Sequence, residues 1–215
     1  MTGRLVCWRP LSTAALAAAS LALAACASAP AWEQPYTLNA AQLTHGVVVA
    51  QSRAGVLRLE AVTAPSWLAG EQYLYRLQYA NPQALRPYRG ARWASAPGQM
   101  LTTLLSQRLR QQGDWRAVLG PSQAGHPALL LQLGLQNFTV DFSSATTGMA
   151  QISCTATLLE AQGYHVLAQQ SFTAQAPLQV IGPAGGAAAM NQAAQDLVMQ
   201  IGGWAARHSP VRTTG

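Results

Sequence analysis

The sequence predicts an α/β (α+β) domain in which a mixed, largely antiparallel sheet carries two helices on one face. Three observations support this. Several segments alternate apolar and polar residues with period two, two others repeat at helical spacing, and the order runs strand, strand, helix, strands, hairpin, helix. Half of the 215 residues are hydrophobic and 9% are charged, so the chain can bury one core, which argues against intrinsic disorder.

In 56–62, Val56, Arg58, Glu60 and Val62 face one way and Leu57, Leu59 and Ala61 the other, as in a strand with one buried side. A second strand is expected over 73–79, with Tyr73, Tyr75, Leu77 and Tyr79 on a shared face. Pro97 suits the first position of a helix because it lacks the N–H that a helix start leaves unpaired. From there to Gln112, Met100, Leu101, Leu104, Leu105 and Leu109 form one apolar stripe, and Gly113 supplies the stop. Leu129, Leu131, Leu133 and Leu135 set one strand face, whereas Phe138, Val140 and Phe142 continue in the opposite phase. A bulge near Gln136-Asn137 reconciles them. Segments 148–160 and 165–174, joined at Ala161-Gln162-Gly163-Tyr164, read as an antiparallel hairpin. Met190, Ala193, Ala194, Leu197, Val198, Ile201, Trp204 and Ala205 form the stripe of a C-terminal helix, with 182–186 as a flexible lead-in.

The charged fraction is far below the roughly 25% of ordinary soluble domains, so Gln, Ser and Thr must supply the polar surface. Every basic residue is Arg. Without Arg4 and Arg9 of the N-terminal leader, 11 arginines stand against 7 acids, scattered apart from Arg86, Arg89 and Arg92 and without a nucleic-acid-binding motif. No Gly-x-Ser-x-Gly, Walker A, Gly-x-Gly-x-x-Gly or His-Glu-x-x-His pattern occurs. His45, His126, His165 and His208 stand apart from one another and from acids, so neither a metal nor a catalytic residue is assigned, and no cofactor is expected.

The segment richest in recognition chemistry is Tyr88-Arg89-Gly90-Ala91-Arg92-Trp93 with nearby Arg86. Rigid rings and planar guanidinium groups give large contact areas at small entropic cost, which makes Arg86, Tyr88, Arg89, Arg92 and Trp93 the candidate partner interface. The arginines equally fit a solvated loop, and Trp93 a core plug at the helix start.

Arg4 and Arg9 precede an uncharged Ala/Leu run ending in Leu23-Ala24-Ala25-Cys26, the layout of an export signal. That ending resembles the bacterial lipobox, which implies a signal peptide over 1–25 and acylation of Cys26, with palmitate among the chains it would carry. Two or three acyl chains hold a protein on a bilayer where one is marginal. Cleavage after an Ala-x-Ala site such as Ala27-Ser28-Ala29, or a disulfide at Cys26, are the alternatives. In lipoproteins an Asp after the lipidated Cys favours the inner membrane; Ala27 here implies the outer one. Residues 26–35, with Pro30 and Pro35 and no period, read as a lipidated tether, 36–208 as the domain and 209–215 as a disordered tail. Cys154 lies in an alternating strand and reads as a small core residue.

Taken in order, Cys26, Tyr36-x-Leu38, Leu57-x-Leu59, Ala64-Pro65-x-Trp67-Leu68, Tyr88-x-x-x-x-Trp93-Ala94-x-x-Pro97 and the Leu-rich helix resemble the ABC-type transport auxiliary lipoproteins. Leu129 to Phe138, the Gly163 hairpin ending at Phe172 and the Ala-rich helix closing on Trp204 extend the resemblance over nearly the whole mature chain. The weakly patterned stretch 40–55 departs from it. The resemblance implies a fold like the TolB N-terminal domain and a non-enzymatic, periplasm-facing auxiliary subunit of a lipid-transport system. Its partners would be an MCE-type substrate-binding protein, an ABC permease and an ATPase, with homo-oligomers also open. Two other readings are a lipid-binding carrier with an apolar cavity between helices and sheet, and a cell-envelope hydrolase built on His165, His126 or Asp141.

Overall fold

The computed structural model describes residues 33–39 and 54–210. The expectations placed on the leader, Cys26, His45 and residues 211–215 lie outside the described residues. The elements are β1 (Gln34–Tyr36), β2 (Ala54–Leu59), a 3-10 turn (Ser66–Leu68), β3 (Gln72–Leu77), β4 (Asn81–Trp93), α1 (Pro97–Gln112), β5 (Trp115–Leu119), β6 (Leu129–Phe142), β7 (Gly148–Glu160), β8 (Val166–Pro177) and α2 (Pro183–His208).

Among the described residues β6 is the hub of one eight-stranded sheet. Along one edge it pairs antiparallel with β7 over its whole length, and β8 follows β7, again antiparallel. Its other edge is shared end to end by two parallel strands: β2 lies against Leu129–Leu131 and β3 against Val140–Phe142. Between them Thr63 bridges to Gly134. β5 extends the sheet beyond β2, while β4 and then β1 extend it beyond β3. The antiparallel ladders are the long ones, so the sheet is mixed and largely antiparallel. Gln136 is the extra residue of a bulge between the Leu135–Cys154 and Asn137–Ser153 pairs, where the change of phase in the sequence required it.

Both helices cover the same face. α2 lies over β7 and β8, and α1 packs beside α2 and over β5. α1 keeps its expected limits, with Pro97 in its first turn and Gly113 at φ 70° ending it. Its five stripe residues are buried, as are all eight of α2. Opposite them Leu57, Leu59, Leu131, Leu133, Leu135, Ile152, Cys154, Ala156 and Leu158 line the sheet. Trp93, Trp204 and Tyr73 are the bulkiest fully buried side chains, filling the layer between helices and sheet that a lipid-carrying cavity would need.

Several boundaries differ from the sequence expectation. β1 takes in Gln34 and Pro35, which the sequence assigned to the tether; Pro35 is tolerated because β1 is the outermost strand on that side among the described residues. β3 stops at Leu77 and Tyr79 is 54% exposed beyond it. β8 continues to Pro177, with Ala176 buried. β5 was not foreseen, nor was β4 as a strand: its Pro82 and Pro87 argue against a central position. They fit because, among the described residues, β1 covers only Ala91–Trp93 of its outer edge. Ser209, assigned to the tail, is buried, donates to the Ala205 carbonyl and accepts from the Trp115 indole.

The lead-in 182–186 is largely helix, since α2 begins at Pro183. Gly185 and Gly186 serve close approach rather than flexibility. A Cβ at Gly185 would strike the Val180 carbonyl, and one at Gly186 the Tyr73 hydroxyl and the Val140 side chain. Gly186→Ala should therefore push α2 off the Tyr73 ring and cost about 1–3 kcal/mol. In a thermal melt this should lower Tm by several degrees, roughly 2–4 °C per kcal/mol. An unchanged Tm would show that the ring yields freely.

Candidate functional site

The recognition-rich segment is an enlarged bulge. β4 pairs Pro87 with Leu74 and Arg92 with Gln72. Tyr88, Arg89, Gly90 and Ala91 therefore stand opposite Tyr73 alone. Gly90 at φ 72° takes the left-handed turn that a side chain would disfavour, and such bulges re-aim side chains out of the regular alternation.

The bulge sorts the five candidate residues. Arg86 and Arg89 are exposed. Tyr88 is half-buried, its ring 4.9 Å from Tyr73 and 4.5 Å from Tyr75, and its hydroxyl has no hydrogen-bond partner among the described residues. Arg92 donates to Glu71 at 2.6 Å and to the Trp93 carbonyl at 3.3 Å, which ties it to the strand start. Trp93 is fully buried against Tyr73 and Phe138, so it is a core residue and cannot face a partner. Of the five, Arg86 and Arg89 are exposed and Tyr88 is half-buried, while Arg92 is engaged and Trp93 is in the core.

Tyr73 donates to the Pro183 carbonyl at 3.1 Å. Burial, reinforced by the neighbouring Tyr88 and Tyr36, pushes its phenol far above the usual range; burial and then Tyr75 do the same for Tyr88. Cys154 is a free, fully buried thiol, pushed up to about 12 by burial. These groups stay neutral near pH 7 and act as packing. The acids and histidines are dispersed: Asp141 accepts from Gln78 and Thr139 and lies 3.9 Å from Arg76, while His208 Nδ1 is 2.9 Å from the Trp204 carbonyl. Among the described residues no three His, Cys, Asp or Glu side chains gather as a metal site would require. An open polar cleft of about 810 Å³ at one end of β2 and β6 includes Arg58, Glu60, His126 and Gln132.

The feature that sequence reasoning missed is the sheet face opposite the helices. There Gln132, Thr157 and Gln169 form one cross-strand row, Gly134, Thr155 and Ser171 the next, and Thr139, Gln151 and Gln175 another. Their side chains bond laterally: Gln136 donates to Thr155 at 3.0 Å, Thr155 and Ser171 oxygens lie 3.2 Å apart, and Gln169 donates to Thr157 at 2.9 Å. The signal was present in the alternate positions of three strands, but only strand order turns separate Gln, Ser and Thr residues into one field.

Together, the buried aromatics, the dispersed titratable groups and the two polar surfaces describe a domain whose chemistry lies in contact. The chain belongs to a family that says in which setting: the model for the ABC-type transport auxiliary lipoprotein component matches residues 36–202. It is an auxiliary, non-catalytic lipoprotein component of ABC-type transport, not an enzyme. No curated protein matches the chain. Among solved structures, one of a Xanthomonas campestris protein superposes with a TM-score of 0.71 at 22% identity, covering 81% of this chain and 95% of that one. A second, of an uncharacterized protein, gives 0.63 at 18% identity, covering 80% and 98%. At these identities the likeness shows the fold. No helix among the described residues is long and apolar enough to cross a membrane.

The buried thiol makes a pH prediction. Its folded pKa lies above the ordinary value of 9.0, so the unfolded chain loses the proton first. Stability should be level below about pH 9 and fall as pH rises from there toward 12. Denaturant titrations at pH 8, 9.5 and 10.5 should show that fall, and Cys154→Ala should flatten its first part. Equal slopes in the two proteins would remove Cys154 as the cause.

Proposed function

We propose that the protein is lipidated on Cys26, held on the periplasmic face of the outer membrane, and serves there as an auxiliary subunit of an MCE-type lipid-transport system. The observation that carries this reading is the family match over 36–202 following Leu23-Ala24-Ala25-Cys26. From Cys26 to Gln34 the chain spans eight residues, at most about 28 Å when extended, so the domain would work close to the bilayer. Its partners would be the MCE-type substrate-binding protein and, through it, the permease and ATPase. The fold would be a relative of the TolB N-terminal domain, with a leader over 1–25 and a tether reaching the first strand.

Arg86 and Arg89 are the side chains we assign to docking. Both are exposed: Arg89 sits on the bulge, two residues before the stretch of β4 that pairs with β1, and Arg86 just ahead of it opposite Tyr75. Arg92, engaged by Glu71, would hold the bulge in place.

Two measurements test the reading. Cys26→Ala should abolish incorporation of labelled palmitate and release the protein from the membrane fraction; a variant that stays membrane-bound and supports transport refutes the anchor. Arg86→Glu with Arg89→Glu should change folding stability by no more than about 0.5 kcal/mol per site, as ordinary surface substitutions do, yet reduce crosslinking to the substrate-binding protein severalfold. Undiminished crosslinking would move the docking surface elsewhere.

A further inference from the structure

β8 closes one side of the sheet: it pairs with β7, and among the described residues no strand pairs with its other edge. An open edge is a row of backbone donors and acceptors that fits another strand. The register shows which residues own that row. Gly148 stands opposite Leu178, one step past the Met149–Pro177 pair, and Leu178 N donates to the Gly148 carbonyl at 2.9 Å. In an antiparallel ladder hydrogen-bonded pairs alternate, so Ala176, Ala174, Phe172 and Gln170 turn their backbone groups toward β7. Gln175, Thr173, Ser171 and Gln169 turn theirs outward. Pro177, which has no N–H, falls on the outward parity and leaves no bond to β7 unmade.

Proteins usually guard such an edge with charge, a bulge or proline. The 12 residues of β8 contain no charged side chain, and their single proline is the last. The register shift of this ladder lies at the far end, beside Leu158 and Leu159. The sequence around Phe172 also reads nearly alike in both directions: Ser171 mirrors Thr173, Gln169 mirrors Gln175 and Ala168 mirrors Ala176.

We propose that β8 pairs antiparallel with β8 of a second copy about a two-fold axis at Phe172, joining two sheets into one. The occupant is a second copy because the strand is complementary to itself. The axis sets Ser171 opposite Thr173 and Gln169 opposite Gln175 of the second copy, all four on the outward parity, so each pair exchanges two backbone hydrogen bonds. Hydroxyl faces hydroxyl, amide faces amide, and no like charges meet, as an isologous contact requires. The helical layer fits as well. α2 lies over β7 and β8, so strands about 4.8 Å apart bring the two α2 helices to about 10 Å, a usual packing distance. Ala188 and Gln192 line an apolar notch of about 350 Å³ with Ala176, Pro177 and the 66%-exposed Val180, which puts this side of α2 over the edge. On the same side of α2, Asp196 accepts from Gln192 at 3.1 Å, and Met199, seven residues beyond Gln192, is 42% exposed. This pairing goes beyond the proposed function and depends on neither acylation nor transport partners.

Sedimentation velocity of the full chain in density-matched detergent tests it. The wild type should sediment at twice the chain mass. Ser171→Lys with Thr173→Lys sets two lysine pairs face to face and should raise the dimer dissociation constant roughly tenfold or more. Ser171→Lys with Thr173→Glu carries the same lysine but places opposite charges across the axis, and should restore the dimer. Independently, mixing Ser171→Cys with Thr173→Cys chains should give a disulfide-linked dimer that neither variant gives alone. A monomeric wild type, a double-lysine variant that dimerises as well as the wild type, or a cysteine mixture that fails to crosslink overturns the proposal.

Discussion

Five elements meet at the ring of Tyr73. Tyr36 of β1 lies 5.9 Å away, and Tyr88 and Trp93 of β4 lie 4.9 and 4.4 Å away. The phenol hydroxyl reaches the carbonyl that opens α2, and Gly186 lets that helix descend onto it. Through Trp93 the stack passes to Phe138 of β6. Aromatic pairs of this geometry add about 0.5–1.5 kcal/mol each beyond burial, so the cluster locks the edge strands to the hub. The bulge of β4 depends on it, because Tyr73 is the single residue opposite which four residues of β4 must fit.

Elements with one dominant period were legible in the sequence. α1, the bulged β6 and the β7–β8 hairpin each carry a single buried stripe, and the phase change near Gln136 is a local event that spacing alone reveals. The start of α2 was hidden because two adjacent glycines have the same composition in a flexible lead-in and in a helix that packs on an aromatic ring. β4 was hidden by its prolines, whose acceptability depends on which edge the strand occupies. In the candidate site the residue types were visible but not their direction. Arg89 points outward and Trp93 inward for a reason, the bulge at Gly90, that depends on the register with β3.

The low charge content has a structural counterpart. One face of the sheet is covered by helices and the other is a field of Gln, Ser and Thr whose side chains satisfy one another across strands. Such a surface is wetted through neutral groups and exerts little long-range pull on ions or nucleic acid. Two ion pairs, Arg92 with Glu71 and Arg76 with Asp141, tie local elements together. Arg86 and Arg89 share the exposed surface with Arg110, Arg116 and Arg207, and differ from them in lying at the aromatic-rich bulge of β4.

The short first strand gives the molecule a mechanical character. β1 runs parallel to the end of β4, and the register continues where Ala94 N donates to the Tyr36 carbonyl at 2.7 Å; beyond it Asn39 N donates to Asn191 Oδ1 of α2 at 2.8 Å. A pull on the chain at Gln34 along the strand direction would load the β1–β4 bonds together in shear, whereas a sideways pull would break them one at a time. The domain would therefore bear strain best when that end is drawn in line with the sheet.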